Sequence, residues 1–272
     1  MKKMKAIFLV VVFGTLLMSN YSFAQDEKSN LVTVTKLHWN MDNKNFSNEE
    51  WKAVEKEYLE KVVKKNPFIL GQEVLMHSFT EDNSELLLVT IYENWDAIEK
   101  ANAKDEELIK AAWPDEKARK TFFEKKGQYY ARNHSDEILA TMPGAKIPKA
   151  NFDKDMIFYL RVSHFAYPKE GNDKEFAELE KQYFDAVTNK NDLVKAYYPS
   201  RHAWGADNTQ FNEVYVVESL ADLDSALNRN RDLYKAAWSD ETKRKAFDEK
   251  SGKYFTGRHS DYIYKSVHEL SK

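Results

Sequence analysis

The chain contains no cysteine. That excludes a lipoprotein anchor, a disulfide framework, thiolate metal sites and cysteine nucleophiles. Beyond the first 24 residues it also lacks any run of about eighteen consecutive apolar residues, so no membrane insertion is expected after that point. It has no large excess of charge: 41 basic residues face 44 acidic ones, for a net charge of −3. No basic stripe, RNA-binding motif or zinc-finger spacing is present, which argues against nucleic acid as a partner. A Gly-rich phosphate loop, an HExxH pair and an EF-hand pattern are missing as well.

The N-terminus carries an address. Lys2, Lys3 and Lys5 precede an apolar stretch from Ala6 to Met18, which is too short to span a bilayer comfortably. Ser22-Phe23-Ala24 places small residues where a signal peptidase needs them. Residues 1–24 therefore read as a cleaved signal peptide and the protein as periplasmic or secreted. Without disulfides, an exported chain depends on its core for stability.

The strongest pattern is an internal duplication. Residues 110–136 and 235–261, set side by side at an offset of 125, agree at 16 of 27 positions. A period this long marks a repeated domain. Residues 143–155 hold two of the six prolines and interrupt the pattern, which places repeat 1 at 25–142, a linker at 143–155 and repeat 2 at 156–272.

Each repeat opens with a strand rich in Val, Leu, Tyr and Phe, at Leu31–Trp39 and Met156–Phe165. A helix follows, with Trp51, Val54, Tyr58 and Val62 on one face and Phe176, Leu179, Tyr183 and Val187 matching them. Two strands come next, about Phe68–Phe79 and Glu85–Glu93, then Val194–Trp204 and Phe211–Glu218. Asp82-Asn83 and Asp207-Asn208 provide the turns. The segment from Trp95 to Arg132 reads as helix broken near Trp113, with Ser239 as the expected N-cap in the second copy. A last strand follows His134-Ser135-Asp136 and His259-Ser260-Asp261.

The order per copy is β-α-β-β-α-β, a ferredoxin-like unit, and the fold class is α+β. A sheet of this kind covers one face with helices and leaves the other bare, so the two copies can close against each other. The element order and repeat size resemble the dimeric α/β-barrel superfamily, here as a tandem pseudo-dimer in one chain. That superfamily includes small monooxygenases, haem-degrading and haem-binding enzymes, cyclases and isomerases, so the resemblance implies a fold and leaves function open.

Six of the seven histidines form matched pairs: His38 with His164, His77 with His202, and His134 with His259. The strand segments LGQEVLMHSF and KAYYPSRHAW share only their histidine. His77, His202, His38 and His164 are the candidate catalytic residues, since imidazole shuttles protons near neutral pH and ligates metals. The resemblance to cyclases and isomerases implies tyrosine partners, for which Tyr58 and Tyr183 stand in the right helix. Trp113 and Trp238 are candidate ligand-stacking residues. A structural reading competes in each case: histidines on an apolar strand face are commonly hydrogen-bonded core groups, and tryptophans at a helix break commonly fill it. His134 and His259 read as helix-end residues that gain from the helix dipole.

The haem-degrading relatives use an Asn, Trp and His constellation, and no Asn is retained beside the first-strand histidine in both copies. Asp115, Glu116, Arg119, Lys120, Glu124 and Lys125 recur as Asp240, Glu241, Arg244, Lys245, Glu249 and Lys250, suited to exposed helix faces and to a partner surface. The functional expectation is an exported barrel holding a small apolar or aromatic ligand, with cofactor-free proton transfer by histidine. Haem or metal binding and a non-catalytic interaction module remain as alternatives. No metal ligand set is assigned, and the cofactor and any homo-oligomer are left open. Pro199 and Gly205 in the second copy suggest that one copy binds and the other closes the barrel.

Overall fold

A computed structural model describes residues 29–272. The expected signal peptide lies outside the described residues. The first half runs β1 (Leu31–His38), α1 (Asn48–Lys61), β2 (Ile69–Phe79), β3 (Glu85–Tyr92), α2 (Trp95–Ala112), α3 (Glu116–Gly127) and β4 (Ser135–Thr141). The second runs β5 (Ile157–Phe165), α4 (Asp173–Ala186), β6 (Ala196–Trp204), β7 (Gln210–Val217), α5 (Leu220–Ala237), α6 (Glu241–Gly252) and β8 (Phe255–Ser266). A single 3-10 turn follows α1 (Val63–Lys65), another follows α4 (Thr188–Lys190), and a third (His268–Leu270) follows β8.

The eight strands form one closed antiparallel barrel in the order β1-β3-β2-β8-β5-β7-β6-β4. Each half contributes four neighbouring strands, and the halves meet at β2–β8 and β4–β6. Closure removes the unpaired strand edges that an open sheet would expose. Alternation along the strands then sends one set of side chains inward and the other out beneath the helices. Leu75 and Leu87 from the first half pack inside against Phe158, Ala196, Val216 and Tyr264 from the second. Each such buried Leu or Phe stabilises the fold by about 1.5–3 kcal/mol. One polar link crosses the same interior: Tyr264 Oη on β8 donates to Glu85 on β3 at 2.9 Å, and Lys36 Nζ lies 2.9 Å from the other oxygen of that carboxylate.

The helix starts follow from short polar side chains. Ser47 Oγ accepts the Glu50 N–H, and Asn172 Oδ1 accepts that of Glu175. Two details differ from the sequence expectation. The N-cap of α6 is Asp240, whose carboxylate takes the N–H groups of both Thr242 and Lys243, so Ser239 belongs to the turn before it. In addition, β8 begins at Phe255, well before the His-Ser-Asp segment, so His259 sits inside a strand.

Candidate functional site

The first matched pair of histidines, His38 and His164, bonds to turn residues. His38 Nδ1 lies 3.3 Å from Ser84 Oγ and 3.1 Å from Asp82 Oδ2. His164 repeats this with Thr209 Oγ1 at 3.0 Å and Asp207 Oδ2 at 3.1 Å. In both turns the aspartate also accepts from the residue two positions on, through its N–H and its hydroxyl. Those bonds, with the histidine adding to them, hold the Asp82 and Asp207 carboxyls below the usual carboxylate range. His77 Nδ1 lies 2.8 Å from Thr80 Oγ1, and His77 lines an open groove of about 570 Å³ with Ser260, Asp261 and Tyr262. His202 is half-buried opposite Leu139 at the β4–β6 seam. Among the described residues no hydrogen bond joins one of these four histidines to another, and no group of three or more His, Asp or Glu side chains could hold a metal ion.

His134 and His259 are not helix-end residues, because α3 and α6 stop at Gly127 and Gly252. Each lies largely exposed with Nε2 3.3 Å from the carboxylate two residues on, Asp136 or Asp261.

Trp113 and Trp238 are the C-caps of α2 and α5. Trp113 stacks on Phe122 at 4.0 Å, and Trp238 packs on Phe247 at 4.3 Å. Arg119 donates to the Trp113 carbonyl and Arg244 to the Trp238 carbonyl, each at 2.9 Å. The matched arginines therefore satisfy carbonyls that a helix end leaves open.

The two copies part company on the face of the sheet beneath the helices. In the first, Glu55 of α1 accepts from Lys126 Nζ at 2.5 Å on both oxygens and from Tyr130 Oη at 2.7 Å. Trp51 Nε1 donates to the same Tyr130 hydroxyl at 2.8 Å. In the second, Glu180 of α4 occupies the place of Glu55, while Lys126, Tyr130 and Trp51 are replaced by Ser251, Phe255 and Phe176. Among the described residues no hydrogen bond or ion pair to the Glu180 carboxylate is present.

Glu180 faces a small cavity of about 20 Å³, lined also by Tyr183, Phe184, Thr188, Tyr197 and Phe211. Burial, reinforced by the nearby Glu213 carboxylate, pushes its pKa up to about 8. Glu213 accepts from Tyr197 Oη at 2.9 Å and Tyr215 Oη at 2.8 Å, and burial raises its pKa too. Burial, then the Glu213 and Glu180 charges, lifts the Tyr183 phenol to about 12. At the far end Asp261 takes Tyr159 Oη at 2.5 Å and Arg161 Nε at 2.9 Å. The buried Thr188 hydroxyl, also on the cavity wall, has no partner in the structure.

The first copy has Thr33, Gln72, Leu88 and Thr90 where the second has Tyr159, Tyr197, Glu213 and Tyr215. Its space is closed by the chain end: Val267 and Leu270 are buried among Trp51, Val54 and Val74. Lys272 pairs its backbone with Gln72 and sends Nζ to the carbonyls of Val63 and Asn66. The corresponding cover over the second copy is the segment after β4. There Lys146 pairs with Tyr197 through the backbone and sends Nζ to the Asn191 carbonyl. Where the first copy inserts Leu270, two residues before Lys272, this segment has Gly144, two before Lys146, at a positive φ of 87° against the Phe184 ring. The plug is smaller, and a cavity remains.

Of the sequence candidates, Tyr183 lies on this cavity. Tyr58 sits in its copy-one equivalent, with Lys126 Nζ 5.1 Å from its ring centroid. Glu213, Tyr197 and Tyr215 have no match in the first copy, and Glu180 matches Glu55 without any histidine beside it to mark it in the sequence. The loss of Lys126 opposite a retained glutamate was the readable clue.

No family model matches the chain, and no curated protein matches it in sequence. Its fold is shared with solved structures. One is a proposed monooxygenase from Fusobacterium nucleatum, 16% identical with a TM-score of 0.53, covering 88% of this chain and 93% of its own. Another is chlorite dismutase from Candidatus Nitrospira defluvii in complex with imidazole, 12% identical with a TM-score of 0.50, covering 90% and 95%. These likenesses establish a mixed α+β fold of the dimeric α+β-barrel type.

Proposed function

We propose that the protein is an exported small-molecule-binding barrel whose working site lies between α4 and the sheet of the second repeat, with Glu180 taking up or releasing a proton as ligand enters. The observation that carries this is the Glu180 carboxyl: it faces a cavity, lacks the lysine and tyrosine that neutralise its counterpart Glu55, and titrates near neutral pH. A group with its pKa near the working pH is suited to general acid–base chemistry. The tyrosines around it supply donors and an apolar wall. Two proteins that share the fold are a proposed monooxygenase and a chlorite dismutase, which is support for an enzyme by analogy of fold alone. Each half is taken as one ferredoxin-like unit, products of a single duplication, with the first kept as a closed structural partner. Export rests on the N-terminal lysines, apolar run and Ser22-Phe23-Ala24.

A haem has less support than a small group at this site. Pockets for ligands of drug size hold about 300–1,000 Å³, and this cavity measures about 20 Å³. A larger ligand would require the 142–146 segment to move.

The test is native mass spectrometry of the mature protein isolated from its host's envelope, as wild type, Glu180→Gln and His77→Ala. A bound small molecule carried by wild type and His77→Ala and missing from Glu180→Gln is the expected result. A ligand kept by Glu180→Gln and lost from His77→Ala would move the site to the histidines and overturn the proposal.

A further inference from the structure

The first repeat pairs its Glu55 where the second leaves Glu180 open, the second making its own lysine–glutamate–tyrosine clasp at Lys253, Glu175 and Tyr254 instead. Lys126 Nζ rests against both oxygens of Glu55 at 2.5 Å, with the Tyr58 and Tyr130 ring centroids 5.1 Å and 5.4 Å away. A carboxylate beside aromatic faces is a general arrangement for holding an ammonium: the charge pair supplies strength and the ring quadrupoles add to it. The second repeat keeps the glutamate and the helix tyrosine, as Glu180 and Tyr183, and keeps an aromatic ring, Phe255, in place of Tyr130. The lysine alone has been exchanged for a short side chain, Ser251, whose hydroxyl donates to the Phe247 carbonyl. Lys253, close by in sequence, is bound to Glu175 at 2.6 Å.

We propose that the second repeat binds an organic ammonium ion from solution, the head group of a small primary amine, at Glu180, on the side of the carboxyl that faces the cavity lined by Tyr183, Thr188 and Tyr197. This rests on the reading of the second repeat as the working site and names its ligand class.

Three further features agree. The Thr188 hydroxyl, buried and without a partner on the same cavity wall, offers an acceptor for a second N–H of the head group. The cavity of about 20 Å³ suits a group of water's size, since one such group needs roughly 10–15 Å³. Carboxyl groups outnumber cations around the site. From β7 comes Glu213 beside Tyr215, from β6 Tyr197, from β8 Asp261, and from α4 Tyr183 itself. Tyr234 of α5 packs on Tyr183. From β5 come Tyr159 and the cation Arg161, whose Nε is given to Asp261, and from the covering segment comes Lys146, whose Nζ is given to the Asn191 carbonyl. Met142, Pro143 and Gly144 over the cavity carry no charge. A desolvated site of this sign favours a cation over an anion or a neutral isostere.

Because the free site holds Glu180 largely protonated at pH 7, binding an ammonium there displaces a proton, and affinity rises as pH approaches 8.

The experiment is isothermal titration calorimetry of the full mature chain with n-propylammonium chloride and, as neutral isostere, propan-1-ol. It is run at pH 7 in buffers of different ionisation enthalpy. Saturable binding of propylammonium with proton release is expected, weakened by about ten-fold or more in Glu180→Gln, the factor that a loss of 1.4 kcal/mol produces. Ser251→Lys is expected to abolish binding by supplying its own ammonium, and Thr188→Val to weaken it. Propylammonium bound equally by wild type and Glu180→Gln overturns the proposal. Propanol bound in a Glu180-dependent way, with no preference for the cation, overturns the ammonium and leaves the second-repeat site standing. Binding of neither probe overturns the ammonium site, and the mass-spectrometric comparison then decides the broader reading by itself.

Discussion

Glu55 and Glu180 occupy the same position on α1 and α4, yet one carboxylate clasps Lys126 and the other faces a cavity. A duplicated glutamate has thus been given two environments by exchanges at Lys126, Tyr130 and Trp51. The first makes a largely buried ion pair, with Glu55 side-chain exposure of 12% and Lys126 of 22%. The second is a carboxyl that burial and Glu213 hold near neutrality.

Removing the lysine should therefore be costly. Lys126→Ala leaves Glu55 with Tyr130 as its remaining partner, and we expect a loss of about 3 kcal/mol, as for other broken buried pairs. The double variant Lys126→Met with Glu55→Gln should recover most of it. Urea denaturation checks both. A single variant with an unchanged midpoint would show that the clasp adds nothing to stability.

The pH dependence of stability should carry the signature of Glu180. Its folded pKa of about 8 lies above the ordinary carboxylate value of 4.5. The folded state thus binds the proton more tightly than the unfolded state. Its contribution is fully present below about pH 4.5 and is lost as pH rises through about 8. Glu180→Gln should flatten the melting temperature between pH 5 and 8 relative to wild type. Parallel profiles for the two proteins would place the carboxyl in water.

The chain end should matter more than its position suggests. Leu270 is 1% exposed and fills the first repeat. Leu270→Ala should cost about 2–5 kcal/mol, the range for buried leucine truncations. Thermal unfolding measures it. A loss below 1 kcal/mol would mean that the space collapses around the missing side chain.

His38 and His164 should behave as turn clamps. Replacing either by Ala should lower stability by about 1 kcal/mol and speed amide exchange at Ser84 or Thr209. Ligand binding in the second repeat should be unchanged. Lost binding with unchanged exchange would return these histidines to a functional role.

Arg119→Met and Arg244→Met should each destabilise by about 1–2 kcal/mol, since each removes a charged donor from a helix-end carbonyl. A pull-down that loses a partner on either change, with stability intact, would restore the surface reading instead.

Much of the architecture was legible in the chain. The offset of 125, the 3.6-residue periodicity around Trp51 and Phe176, and the strand alternation report local rules, and local rules are written in neighbouring residues. Matching between the copies does not separate structural roles from functional ones. Residues kept in both copies, such as His38 and His164 or Arg119 and Arg244, do the same structural work twice. Asn66 and Asn191 belong with them: each is fully buried and ties its 3-10 turn to the next helix through the Ala101 or Ala226 carbonyl. Residue order alone determined the duplication and most of the strand and helix content. Only the tertiary structure decided that the copies share one closed barrel, that the chain end fills one repeat, and that Glu180 is left beside a cavity. Those outcomes depend on contacts between residues far apart in sequence, such as Glu55 with Lys126 and Leu270 with Trp51, which no local pattern encodes.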